Sequence, residues 1–325
     1  MSITFTEAVD TLYTHTLTNQ KKEMVDNIFD ATPFYHQLKS KGGIVKWTGG
    51  RYLDIPVVKG KNPTGAWLDE DGTVSLEDFD PDTMVRYPWG YYAINITRKW
   101  MNDQRNSGKA AIRNAIESKV KTTKLSMIDD FEESLFTAQS GLAMYGLPDA
   151  VYHTGTSGKS TNTYPSGYDR GTETWWGNHY KATSTPSSVN IINDTTNLFN
   201  TISEGKFMFE PTMMITTQTG FELYQREMEE KFRIVNQLKT GDVKFRNIEF
   251  LGCPIHFSPQ CPSGRNYLLN LDNMYLMIDP NYDFTPTPWK ERVNQPNTRA
   301  QQLCCTLNLV TERSRGLGVL TGITE

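Results

Sequence analysis

The chain has 325 residues, with 33 Lys and Arg against 37 Asp and Glu, and is 37% apolar, 22% charged and 11% aromatic. Such a length holds one large domain or two ordinary ones. The net charge of -4 argues against nucleic-acid binding through global basicity, and no apolar run approaches the roughly 20 residues that cross a bilayer.

In chain order, residues 1–44 read as an arm. Met1-Ser2-Ile3-Thr4 shows no basic region followed by an apolar one, so no secretory signal is read and a cytoplasm is the expected place of synthesis. Residues 5–17 are weakly helical, and Met24, Val25, Ile28 and Phe29 make a short amphipathic turn ending before Pro33. The apolar density is too low for a core of its own, so the arm is expected to lie on something else. Residues 42–99 then turn to strands. Residues 44–47 run through Gly49-Gly50 into 52–58 as an alternating hairpin signal, and 84–89 and 91–96 return as strands. Between them a long tip holds Trp67, Leu68, Asp69, Glu70, Asp71, Glu77, Asp78, Phe79, Asp80 and Asp82, with no Lys or Arg from Gly65 onward. A hairpin ending this way cannot bury itself by ordinary core packing. It is a free loop or an arm laid over another molecule. Asp69, Asp71 and Gly72 outline a calcium loop, but the twelve-residue ligand spacing closed by Glu is missing.

Residues 107–139 form the longest periodic stretch. Ile112, Ile116, Val120, Met127, Phe131 and Leu135 fall in steps of four and seven, one stripe of a helix, with Ala115, Leu125, Ile128 and Phe136 beside it. Ser107 is placed to cap it and Gly141 to stop it. The predicted rod is roughly 48 Å long. Its first half carries Lys109, Arg113, Lys119, Lys121 and Lys124 against Glu117; its second carries Asp129, Asp130, Glu132 and Glu133 with no base. That order opposes the helix dipole, at about 0.3–1 kcal/mol per misplaced terminal charge. Either the charges are a solvated face or an external partner fixes them, and Lys119, Lys121 and Lys124 are the candidate complement of the acidic tip.

After a turn-rich segment at 141–151, residues 153–187 are rich in Thr, Ser and Gly around Asp169, Arg170, Glu173, Trp175, Trp176 and His179. Paired Trp here suits a sugar platform or a plug at a domain junction. Helices are predicted over 191–202 and 220–237. Strands are predicted over 211–216, 243–250, 254–257, 267–270, 274–277, 302–310 and 319–323, the last run completing a sheet. Cys253, Cys261, Cys304 and Cys305 have no zinc-ligand spacing and read as reduced structural thiols. No phosphate loop, HExxH or G-x-S-x-G occurs, and a hydrolase built on Asp169, Glu173 and His179 lacks specified partners. No enzyme, cofactor or metal is expected.

Taken in order, several segments carry a resemblance. They are Val85-Arg86-Tyr87-Pro88-Trp89, Ile94-Asn95-Ile96-Thr97, Asn106-Ser107-Gly108-Lys109-Ala110-Ala111, Gly146-Leu147-Pro148-Asp149-Ala150-Val151, Asp169-Arg170 with Trp175-Trp176, and Gly316-Leu317-Gly318-Val319-Leu320-Thr321-Gly322-Ile323. Over nearly its whole length the chain resembles the major capsid proteins of tailed bacteriophages, the Hong Kong 97-type fold. The resemblance implies an α+β chain with an N-terminal arm (1–44), an extended β-hairpin loop (45–97) and a peripheral domain with the spine helix (98–139). It further implies an axial domain (140–300) and C-terminal strands (301–325) completing the peripheral and axial sheets. It implies a major capsid, or head, protein that self-assembles as pentamers and hexamers into an icosahedral shell around double-stranded DNA, with the loop crossing a neighbouring subunit. On that reading Trp67, Leu68, Asp69, Glu70, Asp71, Glu77, Asp78, Phe79, Lys119, Lys121 and Lys124 are intersubunit contacts. The implied partners are copies of the chain, DNA held by confinement, a separate scaffolding protein, a portal and room for a decoration protein, with no membrane. The place is the virion capsid, assembled in the host cytoplasm. Some relatives join loop to neighbour through a Lys–Asn bond; here only Lys59 and Lys61 stand at the loop's base, so no such cross-link is expected. An encapsulin-like compartment for protein cargo is the rival that shares the fold, and a carbohydrate-binding surface protein is a more distant one.

Overall fold

The computed structural model describes residues 10–12, 14–16, 30–60, 62–78, 80–99, 101, 109–152, 168, 170, 172–173, 175–183, 188–206, 209–231, 248–293 and 295–323. Five helices are used below: α1 (Pro33–Ser40), α2 (Lys109–Phe136), α3 (Leu147–Ala150), α4 (Ser188–Ser203) and α5 (Gln218–Lys231). The strands are β1 (Ile44–Lys46), β2 (Tyr52–Val58), β3 (Asp82–Pro88), β4 (Gly90–Lys99), β5 (His179–Ala182), β6 (Met213–Thr216) and β7 (Ile248–Phe250). They continue as β8 (Cys253–Phe257), β9 (Arg265–Leu269), β10 (Met274–Ile278), β11 (Thr285–Pro286), β12 (Lys290–Arg292), β13 (Gln295–Thr311) and β14 (Gly318–Thr321). The chain divides into two compact units, each threaded by separate stretches of sequence.

The first unit comprises Met1–Gly49, Trp89–Leu147 and Tyr275–Leu309. Its sheet runs β1-β10-β13-β11, with β4 and β12 also on β13. β4 and β13 pair antiparallel from Lys99 opposite Thr298 to Gly90 opposite Leu307. Gly90 is required at that end, because a Cβ there would stand 2.6 Å from the Leu307 carbonyl oxygen. Across this unit runs α2, 28 residues and about 42 Å long. Val120, Met127, Phe131 and Leu135 are buried at the predicted spacing, each worth about 1.5–3 kcal/mol of apolar burial. The Phe131 ring lies 5.1 Å from Tyr92 of β4 and 6.0 Å from Phe284, while Tyr92 donates its hydroxyl to Asp130 at 2.6 Å. Ser107, the predicted cap, and the side chains of Ile112 and Ile116 lie outside the described residues.

The helix ends at Phe136, short of the predicted 139. The backbone at Gly146 explains the early stop: its added Cβ would meet the carbonyl oxygens of Thr137, Leu135 and Ser134 at 2.2–2.9 Å. The returning chain occupies the space over the last turn. Gly141 still adopts the left-handed conformation that favours glycine, with φ +61°. Helical backbone at Asp30 and Ala31 breaks at Thr32, ahead of Pro33 as the sequence suggests, and Pro33 then opens α1, as its fixed φ allows at a first turn. Phe34, Tyr35 and Leu38 of α1 are fully buried, and the Tyr35 hydroxyl donates to the Phe131 carbonyl at 3.2 Å. This part of the predicted arm lies on the long helix of its own unit; residues 17–29 lie outside the described ones. Asp10 is held between Arg98 and Arg299, which face each other on β4 and β13. Its carboxylate offsets the repulsion of two like charges directly opposite in a ladder.

The second unit comprises Gly50–Pro88, Pro148–Met274 and Val310–Glu325. Its sheet has the order β5-β14-β9-β6-β8-β7. β6 opens with the apolar run Met213-Met214-Ile215 and is central and buried at all four positions, the hydroxyl of Thr216 donating to the Arg265 carbonyl at 3.0 Å. One layer of core joins Ile191, Leu198, Phe199 and Ile202 of α4 to Phe221 and Tyr224 of α5 and to Met214, Ile255, Leu268 and Leu320 of the sheet. Gly318 lets α4 approach, since a Cβ there would stand 2.4 Å from Ile202 Cδ1. The second sheet is thus completed by the C-terminal run through β14, paired with β5 and β9.

The strands of the finger pair differently from the sequence pattern. β1 does not form a hairpin with β2 but pairs parallel with β10, Ile44 opposite Leu276. β2 instead pairs with β3, from Tyr52 opposite Pro88 to Val58 opposite Asp82. Two glycines in positive φ, Gly49 and Gly50, separate these fates. The four cysteines are buried thiols that form no disulfide with one another.

Candidate assembly surface

The β2–β3 ladder is half-buried by alternation: Leu53, Ile55, Val57, Val85 and Tyr87 point inward, and the residues between them outward. Tyr87 donates its hydroxyl to the Thr311 carbonyl at 2.8 Å, Thr83 meets the Tyr168 hydroxyl at 2.7 Å, and Arg86 bridges to Asp54 at 3.0 Å. The Lys59 N–H bond to the Pro81 carbonyl closes the ladder at 2.7 Å. The base of the finger is therefore packed on its own unit.

Beyond that bond the finger changes character. Trp67 is 104% exposed and Leu76 97%, and Leu68 and Val74 are also exposed. Asp69, Glu70, Asp71, Glu77 and Asp78 are exposed as well. Local bonds shape the turns: Gly72 N–H to the Asp69 carbonyl at 2.9 Å, and Thr64 N–H to Asn62 Oδ1 at 2.9 Å. Phe79 lies outside the described residues. On α2, Lys121 is exposed and Lys124 half-buried, while Lys119 donates to the Thr97 carbonyl at 2.8 Å and so is already engaged within its chain. The acidic and apolar set belongs to the second unit and the lysine set to the first.

Three groups whose roles the sequence did not reveal lie in the second unit. Arg170 is fully buried and donates to the carbonyls of Asp149 (2.7 Å) and Ala150 (3.3 Å) and to Asn178 Oδ1 (3.2 Å). Burial lowers its pKa to about 10, so it stays charged at neutral pH. His179 of β5 has its pKa lowered by burial and next by the cation Arg315. The third is a cavity of about 450 Å³ beside the finger's base, walled by Trp175, Trp176 and Phe209 and edged by Lys206, Arg313 and Arg315. The Arg313 guanidinium stacks 3.2 Å over the Phe209 ring, and Arg315 pairs with Glu204 at 2.5 Å.

The Trp pair forms no flat platform. The two rings are 5.6 Å apart and tilted by 56°, Tyr168 packs edge-on against Trp175 at 5.2 Å, and Trp176 is fully buried. Glu173 accepts the Trp175 indole N–H, and Asp169 lies outside the described residues. Among the described residues, no three His, Cys, Asp or Glu side chains gather as a metal set.

A two-unit α+β chain with one long helix and a finger exposed at its tip is the architecture of Hong Kong 97-type shell proteins, and this chain has that fold. No family model and no curated protein matches the sequence. Solved structures do match by fold. The cyanophage A-1(L) capsid asymmetric unit is similar with a TM-score of 0.60 at 16% identity, covering 87% of this chain and 91% of that one. The SrpI encapsulin of Synechococcus elongatus PCC 7942 gives 0.54 at 14% identity, covering 90% and 88%. A chain of Mycobacterium phage Cain gives 0.54 at 12%, covering 89% and 90%. At these identities the likeness is one of fold.

Proposed function

We propose that this chain is the major capsid protein of a tailed phage, a structural subunit rather than an enzyme. Copies of it assemble as pentamers and hexamers into an icosahedral shell around double-stranded DNA. One observation carries the reading: a finger packed at its base ends in a fully exposed Trp67 and Leu76 among carboxylates, in a fold whose solved neighbours include a phage capsid unit matched over most of both chains. A large exposed indole is a poor surface group for a lone subunit and a good anchor at an interface. The contacts of Trp67, Leu68 and Phe79 supply most of the interface energy, and Asp69, Glu70, Asp71, Glu77 and Asp78 pair with bases of neighbours, Lys119, Lys121 and Lys124 among them. Exposed ion pairs of this kind add about 0–1 kcal/mol each; repetition around a closed shell multiplies them. The net charge of -4 suits DNA held by confinement. Scaffolding and portal proteins are the further partners of such a shell, the virion capsid its place, and the host cytoplasm its site of assembly.

The SrpI encapsulin, matched with a TM-score of 0.54 over 90% of this chain, favours a second reading as a compartment for protein cargo. Negative-stain microscopy of the purified protein tests the shell: closed particles are expected, and a monodisperse monomer at high concentration would overturn both readings. Co-expression with the neighbouring phage genes separates them. Nuclease-resistant DNA inside the particles supports the capsid, and a co-purified protein cargo without DNA supports the compartment.

A further inference from the structure

We infer that the aromatic-walled cavity of the second unit is the socket for Trp67 of another copy of this chain, an inference that rests on the shell reading. The helix lysines can meet the finger's carboxylates, but a row of ammonium groups offers no concave apolar wall for an indole. The cavity does. Its volume of about 450 Å³ lies within the usual range for sites that enclose a small organic group, roughly 300–1,000 Å³. Trp175, part-exposed and backed by the fully buried Trp176, supplies the aromatic wall for a third indole.

The charges match as well. Of the charged lining residues, Arg315 and Glu204 neutralise each other at 2.5 Å, which leaves Lys59, Lys206 and Arg313 with Glu312. That surplus of positive charge faces a segment in which Trp67 and Leu68 are followed at once by Asp69, Glu70 and Asp71. Arg313 is held flat against Phe209, and its Nε–H, buried, makes no hydrogen bond in the described structure. A planar guanidinium fixed in this way is preorganised for a carboxylate. The occupant comes from a second copy because within one copy Trp67 stands fully exposed while the cavity at the finger's base is open.

The test joins two exposed positions by a disulfide. Leu68→Cys and Lys206→Cys are made in separate, differently tagged full-length chains, mixed and mildly oxidised; the four native thiols are buried and give little background. Val293→Cys, at an exposed site on the first unit, replaces Lys206→Cys as the control. A mixed disulfide at least about fivefold above the control is expected, falling to control level when Trp67→Ala is added to the Leu68→Cys chain. Equal linking to both partners, or linking unaffected by Trp67→Ala, refutes the socket. Micrographs of the wild type separate the two ideas. Shells without the specific link leave the capsid reading standing and the socket refuted; the link without shells does the reverse; neither refutes both.

Discussion

Arg170 and His179 show how burial sets what a side chain can contribute. Arg170 is a buried cation whose two terminal nitrogens donate to two carbonyls and an amide oxygen, so it fixes the turn of α3 against the strand entry at Asn178. Arg170→Met keeps most of the volume and loses three charged hydrogen bonds. It is expected to lower unfolding free energy by about 2–4 kcal/mol in urea titration, with Arg170→Lys losing less. His179 has a folded pKa below its ordinary 6.5, burial first and Arg315 next. The unfolded chain then binds the proton more readily, so stability is full above about pH 6.5 and falls as pH drops below it. Urea midpoints measured from pH 7 to pH 5 should decline less steeply in His179→Gln than in the wild type.

The long helix keeps its register through a narrow stripe, while its ends are set by neighbours. Val120, Met127, Phe131 and Leu135 were legible from spacing alone, whereas Leu125, which flanks the stripe in sequence, is 53% exposed. The stop at Phe136 follows from Gly146, ten residues further along, whose backbone seats on the last carbonyls. Gly146→Ala drives a methyl to within 2.2 Å of the Thr137 oxygen, and backbone on both sides cannot swing away. A loss of about 1–3 kcal/mol is expected, read as a lower thermal midpoint. Gly141→Ala meets open space and carries only the left-handed backbone penalty, about 1–2 kcal/mol. If the two substitutions cost the same with the helix length unchanged, packing at Gly146 does not set the helix end.

At the scale of the whole molecule, the proposed shell depends on surfaces that a single copy leaves exposed. Reversing Lys121 and Lys124 together to Glu, with Lys119 kept because it bonds the Thr97 carbonyl of its own chain, is expected to reduce particle formation sharply in size-exclusion chromatography while the monomer stays folded by circular dichroism. Untouched assembly would refute the pairing of these bases with the acidic finger. The same variant should form fewer particles still at low ionic strength, where unscreened repulsion between like charges is strongest.

Much of this organisation was readable in the residues themselves. A period of 3.6 wrote the long helix, a short apolar run wrote β6, and alternation wrote the finger's ladder, because each pattern reports one element's own burial. The acid-rich tip without a base was equally plain, since composition needs no partner to be seen. Strand partners were not written locally: residues 44–47 carry the same alternation whether they turn back on β2 or, as they do, run parallel to β10. Nor could spacing bring Trp175, Phe209 and Arg313 around one cavity, for they stand far apart in the chain and meet only through the fold. Periodicity fixes which side of an element is buried; only the folded chain decides what lies against it, because contacts between distant residues depend on topology and leave no period behind.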